Sequence, residues 1–353
     1  MGSVHVLIIS LAIFIGGSAS AGTPQDPVVP TLEQAFSKGD YHTALKIGRA
    51  LLTQDPNDLQ TLLMCGASCI ELARGLTDKG ANIGAHKEAL IYFERFVRLD
   101  PKHGQSRVHQ SLARCHLVLT SHVKALGHAK FAVQLDSTSA MAQRLLGESW
   151  QQNGNPANAL TAFKAAHQLE PGSADYLEAV QDQLHKMRRF GESLQYIEKH
   201  RGKVHSDPNN QSTLHWCLHV TWLSLNKVDR AHEAISKAHE LEPDEPRFLS
   251  SLAVSHYRMG DFDESEKWCD QTLAHTGTTT HARAVVQRTK GQILMHRNQY
   301  AQAKPLLQSA LTVLEGDGPT TLALISTLRR LGETEQAKAL ANQYRKSVEK
   351  KSP

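Results

Sequence analysis

A small side chain recurs along this chain at nearly fixed intervals, and that recurrence limits what the chain can fold into. Ala44, Ala89, Ala125, Ala159, Ser193, Ala231, Ser265, Ala303 and Ala337 are separated by 45, 36, 34, 34, 38, 34, 38 and 34 residues. A small residue where two helices cross lets their axes approach to about 8–10 Å. Several of the segments that follow end in the same way: Gln54-Asp55-Pro56, Leu99-Asp100-Pro101, Leu169-Glu170-Pro171 and Leu241-Glu242-Pro243. Proline cannot continue a helix interior, yet it starts the next element well. Gly39, Gly154, Gly260 and Gly332 stand where a preceding helix has to stop, as left-handed residues do. The pattern predicts helix pairs, each with an apolar face that only a neighbouring pair can cover. About nine such units take up residues 30–347, leaving no stretch for a separate catalytic domain.

Composition agrees with that reading. Of the 353 residues, 40% are apolar and 21% charged, which excludes disorder and a multi-span membrane protein. Aromatics make up only 6%, favouring helices over sheets. The net charge of +4 is too small to announce nucleic acid or an anionic membrane as partner.

The fourth unit carries the fullest motif: Leu146-Gly147, Trp150, Gly154, Ala159, Phe163, Ala166 and Pro171. It resembles a tetratricopeptide repeat, two antiparallel helices in about 34 residues. The other units match less completely, and the fifth is degenerate, with Ser193 at its crossing and His200 to His205 extending its end. The resemblance implies an all-α, right-handed α-solenoid of antiparallel helix pairs, acting as a scaffold for protein–protein contacts. Between the first and second crossings the step lengthens to 45, which reads as an inserted loop from Arg74 to Gly84.

At 100° per residue, each first helix separates a core side from an opposite stripe. In the fourth unit Leu146, Gly147 and Trp150 define the core side, leaving Met141, Arg144, Glu148 and Gln151 opposite. The resemblance implies that this stripe lines a concave groove. The third unit places Arg107, Gln110, Arg114 and Leu117 there. The sixth contributes Trp216, Val220 and Leu223, the seventh Arg247, Val254 and Tyr257, and the eighth Arg288, Gln292 and Met295. Apolar residues interleaved with arginines match the composition of interface hot spots. The groove is therefore expected to take a protein or peptide with an apolar and an acidic stretch, with Trp216 and Tyr257 as anchors. The alternative is that these side chains pack between adjacent first helices. A clamp of Lys and Asn residues for a C-terminal carboxylate is absent, since the fifth unit offers Asp175 and Glu178 instead.

Catalytic and metal chemistry find little support. His215, Cys217 and His219 lack a third ligand at structural-site spacing. His232-Glu233 and His239-Glu240 lack the second histidine of a zinc-protease motif. His103, His109, His116, His122 and His128 are expected to spread around their helices as polar filler. The five cysteines, odd in number and without a Cys-x-x-Cys pair, read as buried thiols. No catalytic residue, metal ligand or cofactor is assigned.

The N-terminus sets the expected compartment. An apolar run from Val6 to Ile15, followed by Ala19-Ser20-Ala21, reads as a signal peptide over 1–21 with a linker over 22–29. Its early residues lack Lys and Arg, and an uncleaved anchor is the alternative, although the run is shorter than the ~20 apolar residues a span needs. The expected location is periplasmic or secreted, with no stable membrane span in the mature form. A basic tail closes the chain over 348–353. Two other readings stay open: an accessory subunit of an exported enzyme or assembly system, and a metal-binding protein.

Overall fold

The structure, a computed structural model, describes residues 30–76, 78–100 and 105–349. The segment read as a signal peptide, its linker, His103 and the terminal Lys350 and Lys351 lie outside the described residues. The chain divides after Leu169 into two units. The first holds α1 (Leu32–Ser37), α2 (Tyr41–Gln54), α3 (Leu59–Arg74), α4 (Lys79–Leu99), α5 (Ser106–Val118), α6 (His122–Leu135), α7 (Ala140–Gln152) and α8 (Pro156–Leu169). The second begins with α9 (Ala174–Lys186), α10 (Phe190–His200), α11 (Pro208–Ser224), α12 (Val228–Leu241) and α13 (Pro246–Met259). It continues through α14 (Phe262–Ala274), α15 (Thr280–His296), α16 (Tyr300–Val313), α17 (Gly318–Arg330) and α18 (Thr334–Glu349). No strand occurs among the described residues. Odd-numbered helices pair with the helix that follows, and within a unit successive first helices also touch, as α5 with α7, α9 with α11 and α13 with α15. Each unit is thus an all-α solenoid of antiparallel pairs.

The crossings explain the period. All nine recurrent small residues, Ala44 through Ala337, are fully buried. Opposite three of them, at Gly66, Gly147 and Gly291, the first helix carries glycine for want of space. A Cβ on Gly147 would stand 2.6 Å from the Phe163 ring, and one on Gly66 2.7 Å from the Phe93 ring. Boundaries follow local chemistry. Asp40, Asp58, Asp78, Asp207, Asp261 and Asp317 each accept a backbone N–H in the first turn of their helices. Gly39, Gly154, Gly260 and Gly332 have φ of 76°, 73°, 83° and 78°. At the same place in other pairs the chain uses Thr120, Arg188, Asn226 and Asn298, with φ of 56°, 58°, 57° and 60°.

Several expectations are corrected. The insertion is not a loop but mainly a longer helix. α4 has 21 residues where α2, α6 and α8 have 14. Asp78 caps it early by accepting from the Ala81 N–H at 2.7 Å, and Asn82 donates to the Ala73 carbonyl at 2.8 Å, tying the extra turns to the end of α3. In α7 the core side is rotated from its expected setting. Leu145 and Ser149 are buried with Gly147, whereas Leu146 and Trp150 are half-buried. Leu145 turns towards Ala113 and Ala129 of the preceding pair, because each first helix is packed on two sides. The last helix runs to Glu349, so the expected tail begins inside it.

The degenerate pair α9–α10 has a matching irregularity at its crossing. Gln181 stands there, buried, with neither amide atom hydrogen-bonded. After α10 a short 3-10 turn, Arg201–Lys203, leads to His205, whose N–H donates to the Gly172 carbonyl at 2.9 Å. All five cysteines are buried and unpaired. Burial pushes the Cys65, Cys69, Cys115 and Cys269 thiols up to about 12, so they remain protonated and inert near neutrality.

Candidate functional site

In the second unit, the stripe residues of the first helices are largely engaged with one another. Arg247, at the start of α13, places its guanidinium 4.4 Å from the centre of the Trp216 ring. Its Nη1 also donates to Glu178 Oε1 and Oε2 at 3.1 and 3.3 Å. Three consecutive first helices, α9, α11 and α13, are stitched by this acid–cation–indole cluster. Burial raises the Glu178 pKa despite the opposing Arg247 charge, with Asp182 and Asp175 adding to the rise. Trp216 itself is half-buried against two clusters, one with Leu214 and Leu218 and the other with Ile235, Phe248 and Leu252. Its Nε1 is buried without a hydrogen-bond partner. The structure thus places Trp216 between helices rather than at a free surface.

Further along, Arg288 Nη1 reaches Asp317 Oδ2 at 3.4 Å. Met295 packs beside the core formed by Leu294, Leu307 and Leu324. Tyr257 is half-buried, its hydroxyl 3.4 Å from His296 Nε2, and the His296 ring stacks on Phe262 at 4.7 Å. Val220, Leu223 and Val254 remain half-buried between these groups. The result is a partly apolar strip whose charged members are mostly neutralised from within.

The first unit differs. Arg107 is exposed and Arg114 half-buried on α5. Arg144 Nε pairs with Glu148 at 3.0 Å along α7, and Arg74 pairs with Glu71 at 2.9 Å at the end of α3. Arg114 has no carboxylate within ion-pairing distance among the described residues. Its hydrogen bond goes to the Met141 thioether, 3.6 Å from Nη2. Burial lowers its pKa, and the neighbouring Arg74 and Arg144 lower it further against Glu148 and Glu71.

The histidines depart from expectation. His109, His116 and His128 converge instead of spreading. His109 Nδ1 and His128 Nδ1 are 3.1 Å apart, and the His116 and His128 rings stack at 5.4 Å, inclined by 6°. His109 and His116 are seven residues apart, two turns, so they share one face of α5, and α6 brings His128 between them. That spacing was the available signal. Burial holds all three pKa values below the ordinary imidazole range, His128 at about 4. No group of three or more His, Cys, Asp or Glu side chains arranged to hold a metal occurs among the described residues. His219 lies buried at the α11–α12 crossing, its Nδ1–H donating to the Ala231 carbonyl at 2.9 Å, while His215 is half-buried.

These pairs define the class: a helical-repeat solenoid that presents a face of its first helices. Residues 244–316, which span α13 to α16, match the tetratricopeptide repeat family model. Among solved structures, a tetratricopeptide repeat protein from Parabacteroides merdae aligns over 74% of this chain and 98% of its own, at 12% identity and a TM-score of 0.56. Yeast Tom70 aligns over 87% of this chain and 60% of its own, at 14% identity and a TM-score of 0.56. The APC/C hetero-tetramer Cut9–Hcn1 aligns over 84% of this chain at 15% identity and a TM-score of 0.55, and this chain spans 55% of that one. At such identities the likeness is one of fold. No curated protein matches the chain by sequence. No described helix is long and apolar enough to cross a membrane.

Proposed function

We propose that this chain is an exported, non-catalytic scaffold that holds a protein partner along the stripe of its first helices. The observation carrying the proposal is the half-buried strip Val220, Leu223, Val254 and Tyr257 in the second unit. Its charged neighbours are satisfied internally, so the strip offers apolar contact area rather than reactive groups. Tetratricopeptide repeats in general mediate protein–protein contacts, and the match over α13 to α16 takes in Val254 and Tyr257 of this strip. Partner contact here is by display: stacked pairs hold the side chains in place, and little ordering cost falls on the scaffold. The leader over 1–21 supports an extracytoplasmic setting, with cleavage near Ala21.

Photo-crosslinking residues placed singly at Leu223 and Val254, in cells expressing the full chain, test the reading. One discrete adduct from both positions is expected, with none from the exposed Glu233 and Lys237 of α12. Adducts only from the α12 positions would refute the stripe as the contact face. N-terminal sequencing of the purified protein should begin at Gly22; a start at the initiator would remove cleavage and favour the uncleaved anchor.

A further inference from the structure

We infer that Arg114 is a carboxylate-binding site, and that its ligand is an acidic side chain of the protein partner. The inference rests on the scaffold reading and names the chemistry of its first unit. Arg114 on α5 lies against Met141 of α7, and the charges of Arg74 and Glu71 at the end of α3 and of Arg144 and Glu148 on α7 act on it. The outer arginines each hold one carboxylate, at 2.9 and 3.0 Å. Arg114 is the remaining cation, half-buried, with a thioether as its hydrogen-bond acceptor. A partly desolvated guanidinium facing only a weak acceptor is costly, and a charged oxygen ligand relieves that cost. Because the cluster carries one surplus positive charge, a monoanion neutralises it and a phosphate dianion overshoots. The planar fork of the guanidinium also matches the two oxygens of a carboxylate. Gln110, one turn before Arg114, is already bound to Ser106 Oγ and Ser139 Oγ, both at 3.1 Å, so it does not compete for the cation.

The probe is a fluorescein-labelled, C-terminally amidated hexaglutamate, titrated by anisotropy against the intact protein. Arg114→Gln is expected to weaken binding at least tenfold, while Lys237→Gln and Lys267→Gln stay within twofold of the unaltered protein. Equal losses in all three would show general charge attraction and overturn the site, as would an unchanged Arg114→Gln. Free hexaglutamine, whose only carboxylate is terminal, should not displace the probe, and inorganic phosphate should displace it no better than acetate at equal ionic strength. Displacement by either one assigns a different ligand. Thermal melting separates binding from structure. Arg114→Gln should melt at or above the unaltered protein, since it removes an unsatisfied charge, and a lower melting point with lost binding would make Arg114 a structural residue. Crosslinking from Leu223 in the Arg114→Gln background distinguishes the two proposals: a retained adduct with lost peptide binding or with equal peptide binding judges Arg114 alone, and an adduct absent from both proteins judges the scaffold reading.

Discussion

Two arginines on first-helix stripes, one in each unit, meet opposite circumstances. Arg247 lies against the Trp216 face and is bound by both oxygens of Glu178, which sits on α9, two first helices back in the same unit. Arg114 is comparably sheltered, yet the carboxylates near it are committed to Arg74 and Arg144. An arginine on a stripe therefore does not by itself offer charge to a partner. Whether it does depends on the acids that other helices bring. In the second unit the stripe is closed on itself electrostatically and open apolarly, whereas in the first unit it keeps a cation in reserve.

Acidification should expose the largest difference between the units. His219 is buried with its pKa held at about 4 by desolvation, against about 6.5 unfolded. Between those values the unfolded chain binds more protons than the folded one, so stability is complete above pH 6.5 and declines as pH falls towards 4. The full loss from this one ring is on the order of 3 kcal/mol. In the first unit the same sign applies to His109, His116 and His128, shared over three rings, with Lys124 lowering His116 and His128 further and Glu94 opposing at His116. Hydrogen exchange, corrected for intrinsic rates, should lose protection in α11–α12 and in α5–α6 as pH drops from 7 to 4.5. His219→Met should remove the largest part of the α11–α12 response, with His215 and His232, whose pKa values burial also lowers, carrying the rest, while His128→Phe should only halve that of α5–α6. Equal flattening in both places would mean the stacked rings do not titrate together.

Removing Arg247 comes next. Arg247→Ala strips the indole face and leaves Glu178 sheltered without its cation, at a cost of about 2 kcal/mol. Glu178→Gln in the same chain should recover most of that loss in urea denaturation, because no uncompensated charge is left. If the single change is neutral, the contrast with Arg114 fails. The smallest effect concerns the turns. Thr120 and Asn226 hold the same left-handed place in the two units. A β-branched residue is strained at positive φ and asparagine is tolerated there. Thr120→Gly should therefore stabilise by about 1 kcal/mol and Asn226→Gly by a few tenths at most, read as shifts in the urea midpoint.

Much of the fold was legible because it rests on local rules. Small residues mark crossings, aspartates open helices, and glycines at positive φ close them, each over a few residues of chain. The nine crossing residues are buried without exception. The longer α4 was not legible, since a run with Gly75, Gly80 and Gly84 reads as loop until Asp78 is seen to cap it and Asn82 to anchor it to α3. Of the stripe, the residues could be named but not their partners.

What the order of residues determined alone is the repeating helix pair, its period and its boundaries, for these follow from steric and capping chemistry within a turn or two. The tertiary structure decided how each helix is rotated about its axis against two neighbours. That rotation buries Leu145 in place of Leu146, lodges Trp216 between helices, and brings three histidines to one point. It also pairs Arg247 while leaving Arg114 without an ion pair among the described residues, because electrostatic partners here come from helices far apart in sequence.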